Sequence, residues 1–298
     1  MSSMEIVVKD LIKVYRTGKI EVQALRGLNM SVNHGEVVSI IGPSGSGKTT
    51  LLNILGGLDS ATAGIVRVGG TEVTNLSPSQ LVSFRRSTVG HIFQNLNLIS
   101  TLTAWENVEL PMLAQGMPRG KRTERVKMLL DVVGLANRTD HKPDELSGGE
   151  QQRVAIATAL ANDPPVVLAD EPTGELDTAN AKMVTEFLVK VNKEFNKTAI
   201  MVTHDPNVAR AADRILRIED GVIKAYLEPT QAFEQATPLS YINQLRERLA
   251  SIDTELQKLD ESFKTGKIDG DAYTEQRQKL KQLRLSLQEE LNRMGIST

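Results

Sequence analysis

A glycine-rich segment that directly follows a short apolar run sets the strongest limit on how this chain can fold. The run covers residues 37–41, and the segment after it reads Gly42-Pro43-Ser44-Gly45-Ser46-Gly47-Lys48-Thr49. This sequence fits the pattern G-x-x-x-x-G-K-[ST], which joins a strand to a helix. The run does not alternate with polar residues, which is typical of a strand buried on both faces of a parallel sheet. The sequence therefore predicts a strand, a phosphate-binding loop and a helix, in that order.

The chemistry of this loop suits a nucleotide. Glycines let the backbone wrap so that successive N–H groups point at phosphate oxygens beside a helix N-terminus. Lys48 can neutralise the β- and γ-phosphate charge, and the Thr49 hydroxyl can bind Mg²⁺. The residues predicted to contact the nucleotide here are Gly42, Ser44, Gly45, Ser46, Gly47, Lys48, Thr49 and Thr50.

Two acidic residues follow a second apolar run. Residues 166–169 are apolar, and Asp170 and Glu171 come directly after them. Ligands of α/β sheets bind at the carboxyl edge of the strands, so both carboxylates are expected near the glycine-rich loop. Alone, such a pair is more typical of a solvated loop. Beside a phosphate site, Asp170 is the expected partner of Mg²⁺ through its water shell, and Glu171 is the candidate base for an attacking water.

A third signal lies between these two. Ser147 and Glu150 have the spacing of a capping box, which predicts that a helix begins there. Gly148 and Gly149 lie between them and leave the first backbone N–H groups open to an anion. The sequence therefore predicts a second anion-binding helix start, with a plain helix start as the alternative.

The remaining pattern predicts a mixed α/β body with an inserted helical part. The apolar run 199–202 predicts another buried strand, whereas alternation in 65–68 and 214–218 predicts half-exposed antiparallel strands. Helical patterns dominate at about 95–162, which predicts a helical subdomain. The body is predicted to cover residues 1–227.

Residues 228–298 differ from the body in composition and are predicted to form a separate helical hairpin. Apolar residues recur there at steps of three and four, two glycines interrupt the pattern, and a second apolar stripe follows. The two stripes predict two helices of about 25 residues that fold back on each other. The stripes consist of Ile242, Leu245, Leu249, Ile252, Leu256, Leu259 and Phe263, and of Tyr273, Leu280, Leu283, Leu287, Leu291 and Met294.

Composition excludes several classes of function. The 298 residues contain no Cys, which excludes disulfides, thiolate zinc sites and thiol catalysis. A formal net charge of −2 and 4% aromatic residues argue against a nucleic-acid-binding surface. No stretch approaches the roughly 18 consecutive apolar residues of a membrane-spanning helix, and no export signal is recognised. The chain is therefore expected not to cross a bilayer by itself.

Taken together, the motifs resemble the nucleotide-binding subunit of an ATP-binding cassette (ABC) transporter over about residues 4–227. Residues 42–49 resemble the Walker A loop of that family, 166–171 its Walker B strand and 146–153 its signature sequence. Residues 174–177 resemble its D-loop.

Three single residues extend the resemblance. Gln94 falls at the position of the family's Q-loop glutamine, and His204 matches its switch histidine. Tyr15 is placed like the aromatic residue that stacks on adenine. Singly, each is more typical of an ordinary surface or packing residue, and their order beside the stronger motifs carries the functional interpretation.

The resemblance implies a fold and a set of site residues. The fold is an α/β P-loop NTPase of ABC type with an antiparallel β subdomain, a helical subdomain and a C-terminal hairpin. The implied cofactors are ATP and Mg²⁺. The implied catalytic residues are Glu171, His204 and Gln94, and the implied metal ligands are Thr49, Gln94 and Asp170. The nucleotide contacts outside the glycine-rich loop are Tyr15, Ser147, Gly148, Gly149, Glu150 and Asp177.

The resemblance also implies partners. Two copies are expected to pair head to tail around ATP and to act on a polytopic membrane permease, at the cytoplasmic face of the membrane. No nucleic-acid partner is expected. Residues 55–59 and 94–108 look most like the macrolide-exporter, lipoprotein-release and cell-division group. The alternatives are an amino-acid importer ATPase, an ABC ATPase of the ribosome or DNA, and an ATP-switched protein that signals through its hairpin.

Overall fold

The computed structural model describes residues 4–18, 20–174, 176, 178–227, 238–265 and 269–293. The chain divides into two compact units, Met1–Ala232 and Phe233–Thr298. The predicted functional residue Asp177, and Met294 of the second apolar stripe, lie outside the described residues. No helix within the described ranges is long and apolar enough to span a membrane.

The larger unit is built on a six-stranded sheet with the order β10-β9-β3-β8-β7-β6. Strands β3, β8 and β7 are neighbours and run parallel, and each consists almost entirely of buried residues. This burial on both faces explains why their sequences are continuous apolar runs. The strands of this sheet are β3 (Val37–Ile41), β6 (Val89–Ile92), β7 (Val166–Asp170), β8 (Thr198–Val202), β9 (Arg214–Glu219) and β10 (Val222–Leu227).

Strand β9 differs from its prediction. It pairs antiparallel with β10, as expected, but it also pairs parallel with β3 inside the main sheet. Ile215, Leu216 and Ile218 are fully buried, and the polar residues that gave the strand its alternating pattern are only partly exposed. Arg214 forms an ion pair with Glu36 at 2.7 Å, so this charged residue fits in a strand that has no solvent-exposed face.

A second, antiparallel sheet packs on the same core. Its order is β2-β1-β4-β5, and strand β4 confirms the alternating segment 65–68. Residues of this sheet, of β3 and of the first helix share one hydrophobic cluster, so the antiparallel sheet and the glycine-rich loop have a common support. Its strands are β1 (Met4–Thr17), β2 (Ile20–Asn33), β4 (Ala63–Val68) and β5 (Thr71–Glu72).

The helical part is inserted between β6 and β7, where the sequence predicts it. Helices α3, α4 and α5 pack on one another and share a hydrophobic cluster with β7 and β8. Short 3-10 turns cover Val73–Asn75 and Pro143–Glu145. The helices of the larger unit are α1 (Lys48–Leu55), α2 (Pro78–Ser87), α3 (Ala104–Ala114), α4 (Arg119–Val132), α5 (Gly148–Ala159), α6 (Thr178–Glu194) and α7 (Pro206–Ala209).

The smaller unit contains the two helices of the predicted hairpin. They are α8 (Pro238–Lys264) and α9 (Gly270–Arg293), and they pack against each other. Phe263 and Tyr273 stack at 4.2 Å near the turn, and the Tyr273 hydroxyl donates a hydrogen bond to Asp260. Buried apolar residues close the seam: Leu245, Leu249, Ile252, Leu259, Leu287 and Leu291.

Candidate nucleotide site

The glycine-rich loop lies between β3 and α1, as the sequence predicts. Gly47 has a φ of 101°, and a Cβ there would lie 2.7 Å from the Ala24 carbonyl oxygen, so only glycine fits. The Lys48 ammonium donates hydrogen bonds to the Gly42 and Pro43 carbonyl oxygens at 2.8 and 2.9 Å. Burial lowers the pKa of Lys48, against the opposing effect of two nearby carboxylates. A cation that loop carbonyls hold in this way suits phosphate binding.

The second pair of predicted residues lies at the same edge of the sheet. Strands β3, β8 and β7 are parallel neighbours, so their carboxyl ends meet beside the loop. The Thr49 hydroxyl donates to the Asp170 carboxylate at 3.3 Å, which joins the first turn of α1 to the end of β7. Burial raises the pKa of Asp170, and the charge of Glu171 adds to this effect. Two oxygen donors therefore lie side by side where a metal–phosphate ligand is expected.

Glu171 and His204 are in direct contact. The His204 Nδ1 lies 2.7 Å from Glu171 Oε2, and the Glu171 side chain is only 15% exposed. Glu171 has a φ of 46°, in the left-handed region that a residue with a side chain rarely adopts. Its backbone N–H donates to the Val202 carbonyl oxygen at 2.9 Å, which holds this conformation. Strained backbone of this kind is concentrated at functional sites, because the surrounding structure must stabilise it.

Gln94 follows β6, whose carboxyl end lies at the same edge of the sheet. Its side chain is exposed, and its amide nitrogen lies beside the turn at Gly174, where a Cβ would be 3.9 Å away. The ligand role of Gln94 stays a prediction.

The helix start at Ser147 has the predicted local structure. Ser147 caps α5: its hydroxyl accepts from the Glu150 N–H at 3.3 Å, while the Glu150 carboxylate accepts from the Ser147 N–H at 2.8 Å. Hydrogen bonds from Ser147 lower the pKa of Glu150. Ser147 and Gly148 are exposed, and the neighbours of this tip are Leu176 and Asn180 rather than the glycine-rich loop. The capping box is confirmed, and its open side faces outward.

Tyr15 lies on β1 and is 39% exposed. Its hydroxyl donates a hydrogen bond to Asp59 at 2.7 Å, and the Lys13 ammonium lies 4.7 Å from the centre of its ring. Sequence reasoning did not identify the contacts of Lys13 and Asp59 with Tyr15. The available signal was weak, because an alternating strand also contains lysines that only face solvent.

The parallel sheet, the glycine-rich loop and the carboxylates at one edge define a P-loop nucleoside triphosphatase. The family model described as "ABC transporter" matches residues 25–174. An ABC transporter ATP-binding protein of Thermotoga maritima is 50% identical over 74% of this chain and 93% of its own length. A counterpart in Methanocaldococcus jannaschii, MJ0796, is 45% identical over 74% of this chain and 95% of its own. The chain belongs to the ABC transporter family, as one of its ATP-hydrolysing cassettes.

The chain is also similar to a macrolide exporter and to a solved dimeric cassette. A macrolide export ATP-binding/permease protein, MacB, of Rhodospirillum rubrum is 47% identical over 71% of this chain, which spans only 32% of that protein. A dimeric structure of MJ0796 in a post-hydrolysis state, with bound ADP and Pi, superposes with a TM-score of 0.70 at 43% identity. It covers 75% of this chain and 98% of MJ0796. The predicted fold class and family are confirmed.

Proposed function

We propose that two copies of this chain bind two ATP molecules between them and drive a separate membrane permease of the macrolide-export or lipoprotein-release type. Each ATP is held by the Gly42–Thr49 loop of one copy and by the Ser147–Glu150 helix tip of the other. The observation that carries the proposal is that the capped helix tip at Ser147 and Gly148 is exposed in the single chain, with Leu176 as the nearest neighbour of Gly148. A second copy completes the site, as the dimeric state of MJ0796 supports.

The residues at the sheet edge fit the chemistry of hydrolysis. Glu171 takes a proton from the attacking water, and His204, hydrogen-bonded to that carboxylate at 2.7 Å, holds it in place. Lys48 balances the charge on the β- and γ-phosphates. Gln94 lies beside the turn that follows Glu171, and we assign it to positioning the water.

The oxygen donors at this edge fit Mg²⁺. Among the described residues, no group of three or more His, Cys, Asp or Glu side chains can hold a metal. Thr49 and Asp170 supply two hard oxygens next to the phosphate loop, which suits an ion that takes its other ligands from water and phosphate. Bound there, Mg²⁺ supplies charge neutralisation on the phosphates. Its binding by Thr49, Asp170 and Gln94 is part of the proposal.

The macrolide-export or lipoprotein-release assignment rests on the relatives. Several relatives of 46–49% identity are MacB proteins, in which an ATP-binding segment is joined to a permease. This chain matches only their ATP-binding segment, about a third of their length. We therefore place the chain at the inner face of a membrane, in a complex with a membrane permease.

The test is Glu171→Gln. It removes the base but keeps the shape of the side chain, so ATP turnover falls by at least about a hundredfold while ATP binding persists. The matched control is Glu186→Gln, which alters an exposed carboxylate on α6 that pairs with Lys182. Undiminished turnover in Glu171→Gln refutes the catalytic assignment. Copurification from native membranes tests the partner: recovery with ribosomes or DNA in place of a permease refutes the transport assignment.

A further inference from the structure

Two side chains, Lys13 and Asp59, form a connected network with Tyr15 beside the antiparallel sheet. The Tyr15 hydroxyl donates to one oxygen of Asp59 at 2.7 Å, and the Lys13 ammonium donates to the other at 2.6 Å. Lys13 also donates to the Ser60 carbonyl oxygen at 2.7 Å, and Asp59 accepts from the Ser60 N–H at 2.7 Å. The carboxylate is thus held from three sides, and its position fixes the hydroxyl of Tyr15.

The network covers one part of the tyrosine and leaves the rest open. Lys13 is only 8% exposed, although it carries a charge, and its ammonium lies 4.7 Å from the centre of the ring. Tyr15 itself is 39% exposed. A cation against one ring face is a favourable contact. Lys13 therefore contacts one face of the ring, and Asp59 holds the hydroxyl. The exposed part of the ring is available to a ligand.

A ring that is fixed before the ligand arrives binds more tightly than a mobile one, because less side-chain freedom is lost on binding. An aromatic ring on an exposed strand otherwise samples several rotamers. The hydrogen bond to Asp59 and the contact with Lys13 restrict Tyr15 to one of them. Asp59 pairs directly with the buried Lys13 ammonium, which offsets the cost of burying that charge.

We propose that Asp59 and Lys13 are positioning residues that fix the ring of Tyr15 for the nucleotide base, and that they set the affinity for the base without touching the phosphates. The inference rests on the proposed stacking role of Tyr15. It adds that Asp59 and Lys13 orient the ring and that the base meets the ring face opposite Lys13.

The test compares a ligand that has a base with one that lacks it. We measure the Kd of ADP and of inorganic pyrophosphate by calorimetry on the full chain and on the Asp59→Asn and Tyr15→Phe variants. Each variant raises the Kd of ADP about three- to tenfold, a fraction of what stacking of a base contributes. Neither changes the Kd of pyrophosphate. The double variant has about the same Kd for ADP as the single variant with the higher Kd, since both substitutions weaken the same Tyr15–Asp59 contact.

Controls separate this role from general damage to the fold. Glu72→Gln removes a carboxylate that pairs with Arg67 in the same sheet, and it leaves the Kd of ADP unchanged. Tyr15→Phe removes only a hydroxyl, so it serves where Asp59→Asn does not fold. An unchanged Kd of ADP in Tyr15→Phe, or an equal rise in the Kd of pyrophosphate, overturns the inference. If Tyr15→Ala also leaves the Kd of ADP unchanged, the stacking role itself is refuted.

Discussion

His91 gives the protein a built-in sensitivity to acid. It lies on β6, its ring stacks on Phe93 at 4.8 Å, and a Cβ on Gly56 at the end of α1 would overlap the ring. Neither ring nitrogen has a hydrogen-bond partner among the described residues, and burial lowers the pKa of His91 to about 4. The ring is therefore held neutral inside the protein.

The sign and size of the effect follow from proton linkage. The unfolded chain binds a proton at this histidine below about pH 6.5, whereas the folded protein does so only near pH 4. The contribution of neutral His91 to the free energy of unfolding is therefore fully present above pH 6.5, and it is lost as the pH falls towards 4. For this residue alone, the free energy of unfolding drops by about 2 kcal/mol between pH 8 and pH 5.

The assay is urea unfolding of the full chain and of His91→Leu at both pH values. Trp105 is the only tryptophan and packs in the core of the larger unit, so its fluorescence reports the unfolding of that unit. All other titrating groups are common to the two proteins. The expected result is a loss on acidification that is about 2 kcal/mol larger in the parent chain than in the variant. Equal losses refute the buried, neutral state of His91.

Two further substitutions test other parts of the structure. Ser147→Ala removes the cap of α5 and lowers the free energy of unfolding by about 1 kcal/mol, while Ser147→Thr keeps most of it, as urea unfolding measures. Leu291→Ala removes a fully buried side chain of α9 and destabilises the helical hairpin by about 2–5 kcal/mol. Thermal unfolding followed by circular dichroism detects this loss, and an unchanged transition contradicts the packing of the seam.

Local signals in the sequence predicted the parts of the site that depend on neighbouring residues. The glycine-rich loop, the carboxylates after β7 and the capping box of Ser147 each lie within a few residues, so chain geometry alone brings their groups together. The shared edge of β3, β8 and β7 was also predictable, since buried apolar runs indicate a parallel sheet.

Contacts between distant residues were not predictable in this way. Tyr15 and Asp59 are 44 positions apart and meet only because the first strand passes the loop after α1. The burial of His91 has the same origin, because it depends on the approach of α1 to β6. Strand β9 pairs with β3 as well as with β10. Its alternating sequence cannot show this, because the ion pair between Arg214 and the distant Glu36 is what places a charged residue inside the sheet.

A mixing experiment tests most directly whether each ATP site is shared between two copies. One chain carries Glu171→Gln, which removes the base, and the other carries Gly148→Asp, which places a negative charge at the tip of α5. A Cβ at Gly148 makes an ordinary contact with Leu176 at 3.4 Å, and the substitution leaves the capping residues Ser147 and Glu150 in place. Each variant alone is inactive, because every site in its homodimer is damaged.

If the sites are shared, one ATP site of the mixed dimer contains both substitutions and the other contains neither. If the sites are shared, mixing equal amounts restores ATP turnover to about a quarter of the parent rate, because half of the dimers are mixed and each holds one working site. If each chain hydrolyses ATP by itself, mixing restores nothing, and turnover stays at the level of the separate variants.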